Sequence, residues 1–191
     1  MTRRPREDHP GGIHHAIAKG NAGAAIVRDD VDRELLVKRI GKTVERHRWS
    51  CLAYCLLDTH VHLLIGTPRA NLSQGMQWLL GPYAQNFNAR HEREGHLFRG
   101  RFYSKPIRSQ NHLVSALIYI ALNPVRAGIA DQPETWSWSS YSATVGRGDA
   151  PEFLDVAAAL ELVHADPESA RVGLRLGAQD AIRFDAAAPR T

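Results

Sequence analysis

The segment from Trp49 to Thr67 constrains the fold more than any other stretch. Two apolar runs of strand length, residues 49–57 and 60–67, are separated only by Asp58-Thr59. So short a link leaves two outcomes, a tight hairpin or one bent, continuous strand. Side chains alternate on a strand, so His60 and His62 share one face while Val61 and Leu63 share the other. Two imidazoles on one face of an apolar strand can hold one metal ion. The competing reading is a pair of half-exposed histidines with no ligand, because His-x-His is a short motif. On the first run, alternation puts Trp49, Cys51, Ala53 and Cys55 on one face. A disulfide between two cysteines of one strand is geometrically poor. Cys51 and Cys55 therefore read as buried thiols, with a Cys-x3-Cys metal pair as the alternative.

The rest of the chain supplies partners for these two runs. Residues 1–10 are polar, with Pro5 and Pro10, and read as a loose basic arm. A strand over residues 11–19 places Ile13, His15 and Ile17 on one face. Asp29 or Asp30 is suited to cap a helix running to about residue 48. Its Leu36, Val37, Ile40 and Val44 fall within an arc that can face a core. Lys38, Arg39 and Lys42 read as a solvated face. Asn71 or Ser73 can cap the next helix, which carries Leu72, Met76, Leu79 and Leu80. Gly81-Pro82 is expected to break or kink it before it resumes to about residue 94. Residues 95–108 begin as a loop and become a strand near 101–107. Ser109 caps a helix over 111–122, and Asn123-Pro124 is expected to stop it. The order β-α-β-β-α-β-α implies an α+β fold, an antiparallel sheet with helices packed on one face. Residues 151–165 and 167–177 read as two short helices outside this core, and 186–191 as a frayed end. The organisation expected is an arm (1–10), one main domain (11–148) and an acidic, Ala-rich helical tail (149–191).

At 191 residues the chain can build one sizeable core. No apolar run approaches the ~20 residues of a transmembrane helix. The basic N-terminus has no apolar stretch behind it, so no secretory signal is read and the cytoplasm is the expected location. The formal charge of +4 hides an asymmetry: residues from Asp149 onward carry −4, and residues 1–148 carry +8. A basic body points to a polyanionic partner, nucleic acid first. Arg99, Arg101, Lys105 and Arg108, interleaved with Phe98, Phe102 and Tyr103, suit single-stranded or hairpin DNA. Arginines hold the backbone and aromatics stack on bases. The alternative is a basic strand with buried aromatics. Trp136, Trp138 and Tyr141 read as closing the core.

The helix over 111–122 is apolar around most of its circumference, leaving a stripe of His112, Ser115, Tyr119 and Asn123. Tyr119 and Asn123 are four apart and hence neighbours, so a hydroxyl and an amide can enter one pocket. Spacing alone favours a core tyrosine and a helix-terminal asparagine. Tyr83, also helical, has Phe87 at the corresponding position and offers no ligand there. His14, His15 and His96 have no role that the sequence assigns.

Several motifs occur in order: Cys51-Leu52-Ala53-Tyr54-Cys55, His60-Val61-His62-Leu63-Leu64, Asn71-Leu72-Ser73, Gly95-His96-Leu97-Phe98-Arg99-Gly100-Arg101-Phe102, Tyr119-Ile120-Ala121-Leu122-Asn123-Pro124-Val125-Arg126-Ala127-Gly128 and Trp136-Ser137-Trp138-Ser139-Ser140-Tyr141. Over roughly residues 10–145 they resemble the REP-associated tyrosine transposases, a branch of the single-strand HUH insertion-sequence transposases. The resemblance implies a ferredoxin-like HUH fold. It implies a divalent ion, Mg2+ with Mn2+ also suited, held by His60, His62 and Asn123, with Tyr119 as the nucleophile. It further implies single-stranded or hairpin DNA as substrate, no membrane role, and a monomer or homodimer. The chain departs from the family at Leu57-Asp58-Thr59, where Met-Pro-Asn is usual, and at Gly81-Pro82. Three functions compete. The first is metal-dependent strand cleavage and transfer through a phosphotyrosine. The second is a catalytically silent nucleic-acid-binding module derived from such an enzyme. The third is a metal phosphoesterase in which water replaces Tyr119.

Overall fold

The architecture is that of a computed structural model describing residues 8–187. Residues 1–7 of the expected arm and 188–191 of the expected frayed end lie outside the described residues. Four strands, β1 (Gly12–Lys19), β2 (Ser50–Leu56), β3 (His60–Thr67) and β4 (Tyr103–Pro106), form one antiparallel sheet in the order β2-β3-β1-β4. β2 and β3 are a hairpin closed by Asp58-Thr59, with Leu57 N–H donating to the His60 carbonyl at 2.9 Å. The helices are α1 (Asp30–His47), α2 (Leu72–Arg90), α3 (Gln110–Arg126), a single turn α4 (Tyr141–Thr144), α5 (Val156–Val163) and α6 (Pro167–Ala187).

α1 and α2 cover one face of the sheet, as the ferredoxin-like order requires. Leu36, Ile40 and Val44 pack with Met76, Leu79 and Tyr83 over Val61, Leu63 and Ile65. The opposite face is covered as well. There α3, α5 and α6 bring Leu117, Ile120, Leu160 and Leu174 against Ala53, Cys55 and Leu64. Helices on one face describe the ferredoxin-like unit alone, and α5 and α6 are part of the second core rather than outside it. Trp136 and Tyr141 close that core, the indole N–H donating to the Leu56 carbonyl at 2.8 Å.

Several local expectations are overturned. A β-bulge lies between Cys51 and Ala53, so alternation fails along β2. Trp49 and Cys51 face α1 and α2, whereas Ala53 and Cys55 face α3. The two thiols are free, buried and on opposite sides of the sheet, and burial pushes both up to about 12. α2 runs unbroken through Pro82. Proline has no N–H for the Trp78 carbonyl four residues back. Arg39 of α1 supplies the missing donor, Nη2 to the Trp78 carbonyl at 2.7 Å, and its Nε also donates to the Leu79 carbonyl at 3.2 Å. Arg39 thus belongs to the α1–α2 interface and not to a solvated face. α3 likewise continues past Pro124 to Arg126. Asn71 precedes α2 but does not cap it: its side chain bonds Trp49 Nε1 and the His47 carbonyl, and Asp8 caps the Leu72 N–H at 3.0 Å.

Candidate functional site

Strand register builds the site on the α3 face of the sheet. Ile17 lies opposite His62 and Lys19 opposite His60, while His15 and Ile17 lie opposite Lys105 and Tyr103. Residues paired across a sheet share a face. His15, Lys19, His60, His62, Tyr103 and Lys105 therefore face one way, toward α3.

The two imidazoles of the His-x-His pair have ring centroids 4.9 Å apart. Each is held from behind. His60 Nδ1 lies 2.9 Å from the Thr59 hydroxyl. His62 Nδ1 lies 2.9 Å from His15 Nε2. His62 Nε2 is buried and has no hydrogen-bond partner. A proton on His62 Nδ1, donated to His15, leaves that Nε2 lone pair free. This is the arrangement by which an outer residue fixes a ligating imidazole. Burial pushes the His62 pKa down to about 2, reinforced by His15, His60 and Lys19. Burial also lowers His15, to about 4, and His60, where Lys19 adds to the effect. All three rings are thus neutral near pH 7, the form in which imidazole binds metal.

α3 begins at Ser109, whose hydroxyl accepts from the His112 N–H. It presents Tyr119 and Asn123 to the imidazoles. The Tyr119 ring stands edge-on to His62 and to His15, with centroids 5.7 and 5.8 Å away. Tyr119 is 43% exposed, so it is not a core residue. Asn123 Nδ2 donates to the Tyr119 carbonyl at 2.7 Å, which leaves its amide oxygen for other partners. Asn123 acts on both His60 and His62, opposing the fall in their pKa. Among the described residues no three His, Cys, Asp or Glu side chains come together as a ligand set. Asn123 is the amide that stands beside His60 and His62. The unpartnered His62 Nε2 and the neutral imidazole–amide donors fit a divalent ion with open positions.

Tyr83 is excluded as a rival. It is buried on the opposite face, and its hydroxyl donates to the Ile26 carbonyl at 2.6 Å; burial raises its pKa.

The basic residues divide. Arg99, Arg101, Lys105 and Arg108 are exposed, and Lys105 stands beside His15 on the site's face. Phe98 and Phe102 are buried in the α1–α2 core, whereas Tyr103 is 54% exposed. Of these three aromatics Tyr103 is the one open on the site's face. Three neighbours escaped the sequence reading. His15 had its alternation in plain view, but nothing local says which strand it meets. Lys19 is exposed opposite His60. Arg126, seven residues and two turns after Tyr119, places its guanidinium 5.5 Å from the tyrosine ring centroid. An ion pair to Asp185 of α6 holds it there at 2.8 Å.

The two departures noted above are accommodated. The Asp58 carboxylate pairs with Arg33, Thr59 supports His60, and α2 is continuous.

The family model for IS200-like transposases matches residues 13–123. The chain belongs to that family. The matched interval runs from the start of β1 to Asn123 and contains both histidines and Tyr119. The chain is also 29% identical over 122 residues to a Haemophilus influenzae (strain ATCC 51907 / DSM 11121 / KW20 / Rd) protein assigned by name to the REP-associated tyrosine transposases. The match spans 58% of this chain and 69% of that relative. A solved REP-associated tyrosine transposase, described as bound to a REP hairpin, aligns with a TM-score of 0.65 at 21% identity. That alignment covers 79% of this chain and 89% of the other, and it shows the shared fold. Among the described residues no helix is long and apolar enough to cross a membrane.

Proposed function

We propose that this IS200-like transposase cleaves and rejoins single-stranded, hairpin-forming DNA through a covalent bond to Tyr119. One observation carries the reading: an exposed tyrosine stands against a buried imidazole whose Nε2 has no partner. The Tyr119 hydroxyl oxygen attacks the phosphorus, losing its proton. A phosphorus–tyrosine oxygen bond forms, the bond from phosphorus to the 3′ oxygen breaks, and that oxygen leaves as a protonated hydroxyl. The linkage remains a diester, so a 3′-hydroxyl can reverse the step without a nucleotide cofactor. A Mg2+ or Mn2+ ion held by His60, His62 and Asn123 would withdraw charge from the scissile phosphate. Arg126, beside the tyrosine ring, opposes the charge of an approaching phosphate. Lys19, Lys105 and Arg108, with Arg99 and Arg101 further along, form a cationic track for the backbone, and Tyr103 offers a stacking face. The solved relative's REP hairpin supports a hairpin substrate here.

The test is an adduct stable in a denaturing gel, formed by wild-type protein with Mg2+ and a hairpin-bearing single strand. Tyr119→Phe should abolish it and leave DNA binding nearly intact, and Tyr83→Phe should leave it in place. An adduct surviving Tyr119→Phe overturns the assignment. Cleavage by the wild type without an adduct puts a water nucleophile in its place.

A further inference from the structure

Two parts of the chain that lie beyond the matched interval, the last turn of α3 and the helix α6, meet beside Tyr119. α3 continues past Pro124, which keeps Arg126 on the helix, about two turns after Tyr119 and on the same side. α6 lies along α3 in a fixed register. At Gly177 the helices are so close that a Cβ would come within 2.6 Å of Ile118 Cδ1. Eight residues further along each helix, Arg126 Nε donates to Asp185 Oδ2 at 2.8 Å. Equal spacing on both means that the two helices run side by side in the same direction over that span. Ala170, Leu174 and Ala178 bury the inner stripe of α6, and Arg175 Nη1 donates to the Val145 carbonyl at 3.2 Å. The helix is therefore anchored well before it reaches Asp185.

We infer that Asp185 is a positioning residue of the Tyr119 site. It fixes Arg126 so that the two Nη groups receive the non-bridging oxygens of the phosphate joined to Tyr119. The guanidinium carbon lies 5.5 Å from the tyrosine ring centroid, a cation–π distance, so the fork is held from the ring side as well. Nε–H is the donor spent on Asp185. Among the described residues Nη1 and Nη2 have no hydrogen-bond partner. A planar fork with both ends open matches two oxygens of one phosphate. Arg126 and Asp185 are 37% and 44% exposed, so a substrate can reach the fork. An ion pair this exposed adds little to stability, and its effect is to restrict the rotamers of a long side chain. This inference rests on the reading of Tyr119 as nucleophile.

The test is a double-mutant cycle on the single-turnover rate of adduct formation, with Mg2+ and a saturating hairpin-bearing single strand, so that affinity does not enter. Arg126→Ala should slow the step about 10- to 100-fold, the range for one charge-assisted hydrogen bond. Asp185→Ala should slow the wild type about fivefold, the upper range for an exposed ion pair. In the Arg126→Ala background it should slow the step by less than about twofold, because no guanidinium is left to position. Asp185→Asn, whose amide oxygen still accepts from Nε, should recover most of the rate. Proton NMR of DNA-free protein gives a readout without chemistry. The Arg126 Hδ signals should be shifted upfield by the Tyr119 ring and return toward ordinary positions in Asp185→Ala. Equal slowing by Asp185→Ala in both backgrounds assigns α6 a purely structural role and overturns the inference. An Asp185→Ala rate equal to that of the wild type, or an Arg126 spectrum indifferent to Asp185→Ala, overturns it too, and each of these leaves the Tyr119 reading standing. A wild type that forms no adduct defeats the Tyr119 reading, and the inference falls with it.

Discussion

His15 Nε2 lies 2.9 Å from His62 Nδ1, joining strands whose residues are 47 apart in sequence. An imidazole that binds a metal ion through one nitrogen carries its proton on the other. His15 is placed to accept the proton-bearing side. Long-range 15N–1H NMR on metal-free protein should therefore find His62 protonated at Nδ1. His15→Ala should release it to a tautomer mixture and weaken Mn2+ binding about 10- to 100-fold in calorimetry. His15→Gln, whose amide oxygen accepts the same bond, should restore both. A His62 tautomer indifferent to His15→Ala would show that the contact orients nothing.

Arg39 and Pro82 should be energetically coupled. Arg39→Ala leaves the Trp78 carbonyl without a donor, at a cost of about 1–3 kcal/mol in urea unfolding. In a Pro82→Ala background, the alanine N–H can bond that carbonyl, and Arg39→Ala should cost about 1 kcal/mol less. Equal costs in both backgrounds would mean that Arg39 acts only through its packing on Trp78.

This pair also marks a limit of sequence reading. Proline in a helical pattern is a breaker by local rules, and the residue that offsets it lies on another helix. The β2 bulge is of the same kind: one extra residue moves Ala53 and Cys55 to the face opposite Cys51, with no signal in the side-chain pattern. The two strands on either side of Asp58-Thr59, the shared face of His60 and His62, and the Tyr119–Asn123 spacing were legible, because strand and helix periods are local. The side of the sheet on which His15 joins them depends on strand order. The docking of α5 and α6 on α3 depends on apolar stripes too short to name their partner.

Stability should fall on mild acidification. Burial lowers the pKa of His14, His15, His47, His60 and His62. The unfolded chain, with histidines near 6.5, then binds more protons than the folded one as pH drops below that value. The stability these groups contribute is complete above pH 6.5 and lost as pH falls toward their folded values. His15 and His62, lowered to about 4 and about 2, each contribute a slope approaching about 1.4 kcal/mol per pH unit in that window. Urea midpoints should be clearly lower at pH 5 than at pH 7.5 for metal-free protein. His14→Leu should shrink the difference, since that ring is fully buried and neither nitrogen has a hydrogen-bond partner. Equal midpoints at the two pH values would refute the burial argument.

The cationic track makes the last prediction, and it separates DNA grip from metal chemistry. Lys19 and Lys105 flank the imidazoles from β1 and β4, both exposed. If they contact phosphates of a single strand, each removes about 0.7 from the slope of log affinity against log salt. Lys19→Ala with Lys105→Ala should lower that slope by about 1.4, and Arg99→Ala with Arg101→Ala by a similar amount. The two pairs should add, because they lie on different segments of the backbone path. Neither pair carries a metal-ligating atom, so Mn2+ affinity should hold or rise slightly when Lys19, which lowers the His60 and His62 pKa, is removed. A salt slope unchanged by both double variants would place the DNA on some other surface, and the Tyr119 site would then have to be reached from there.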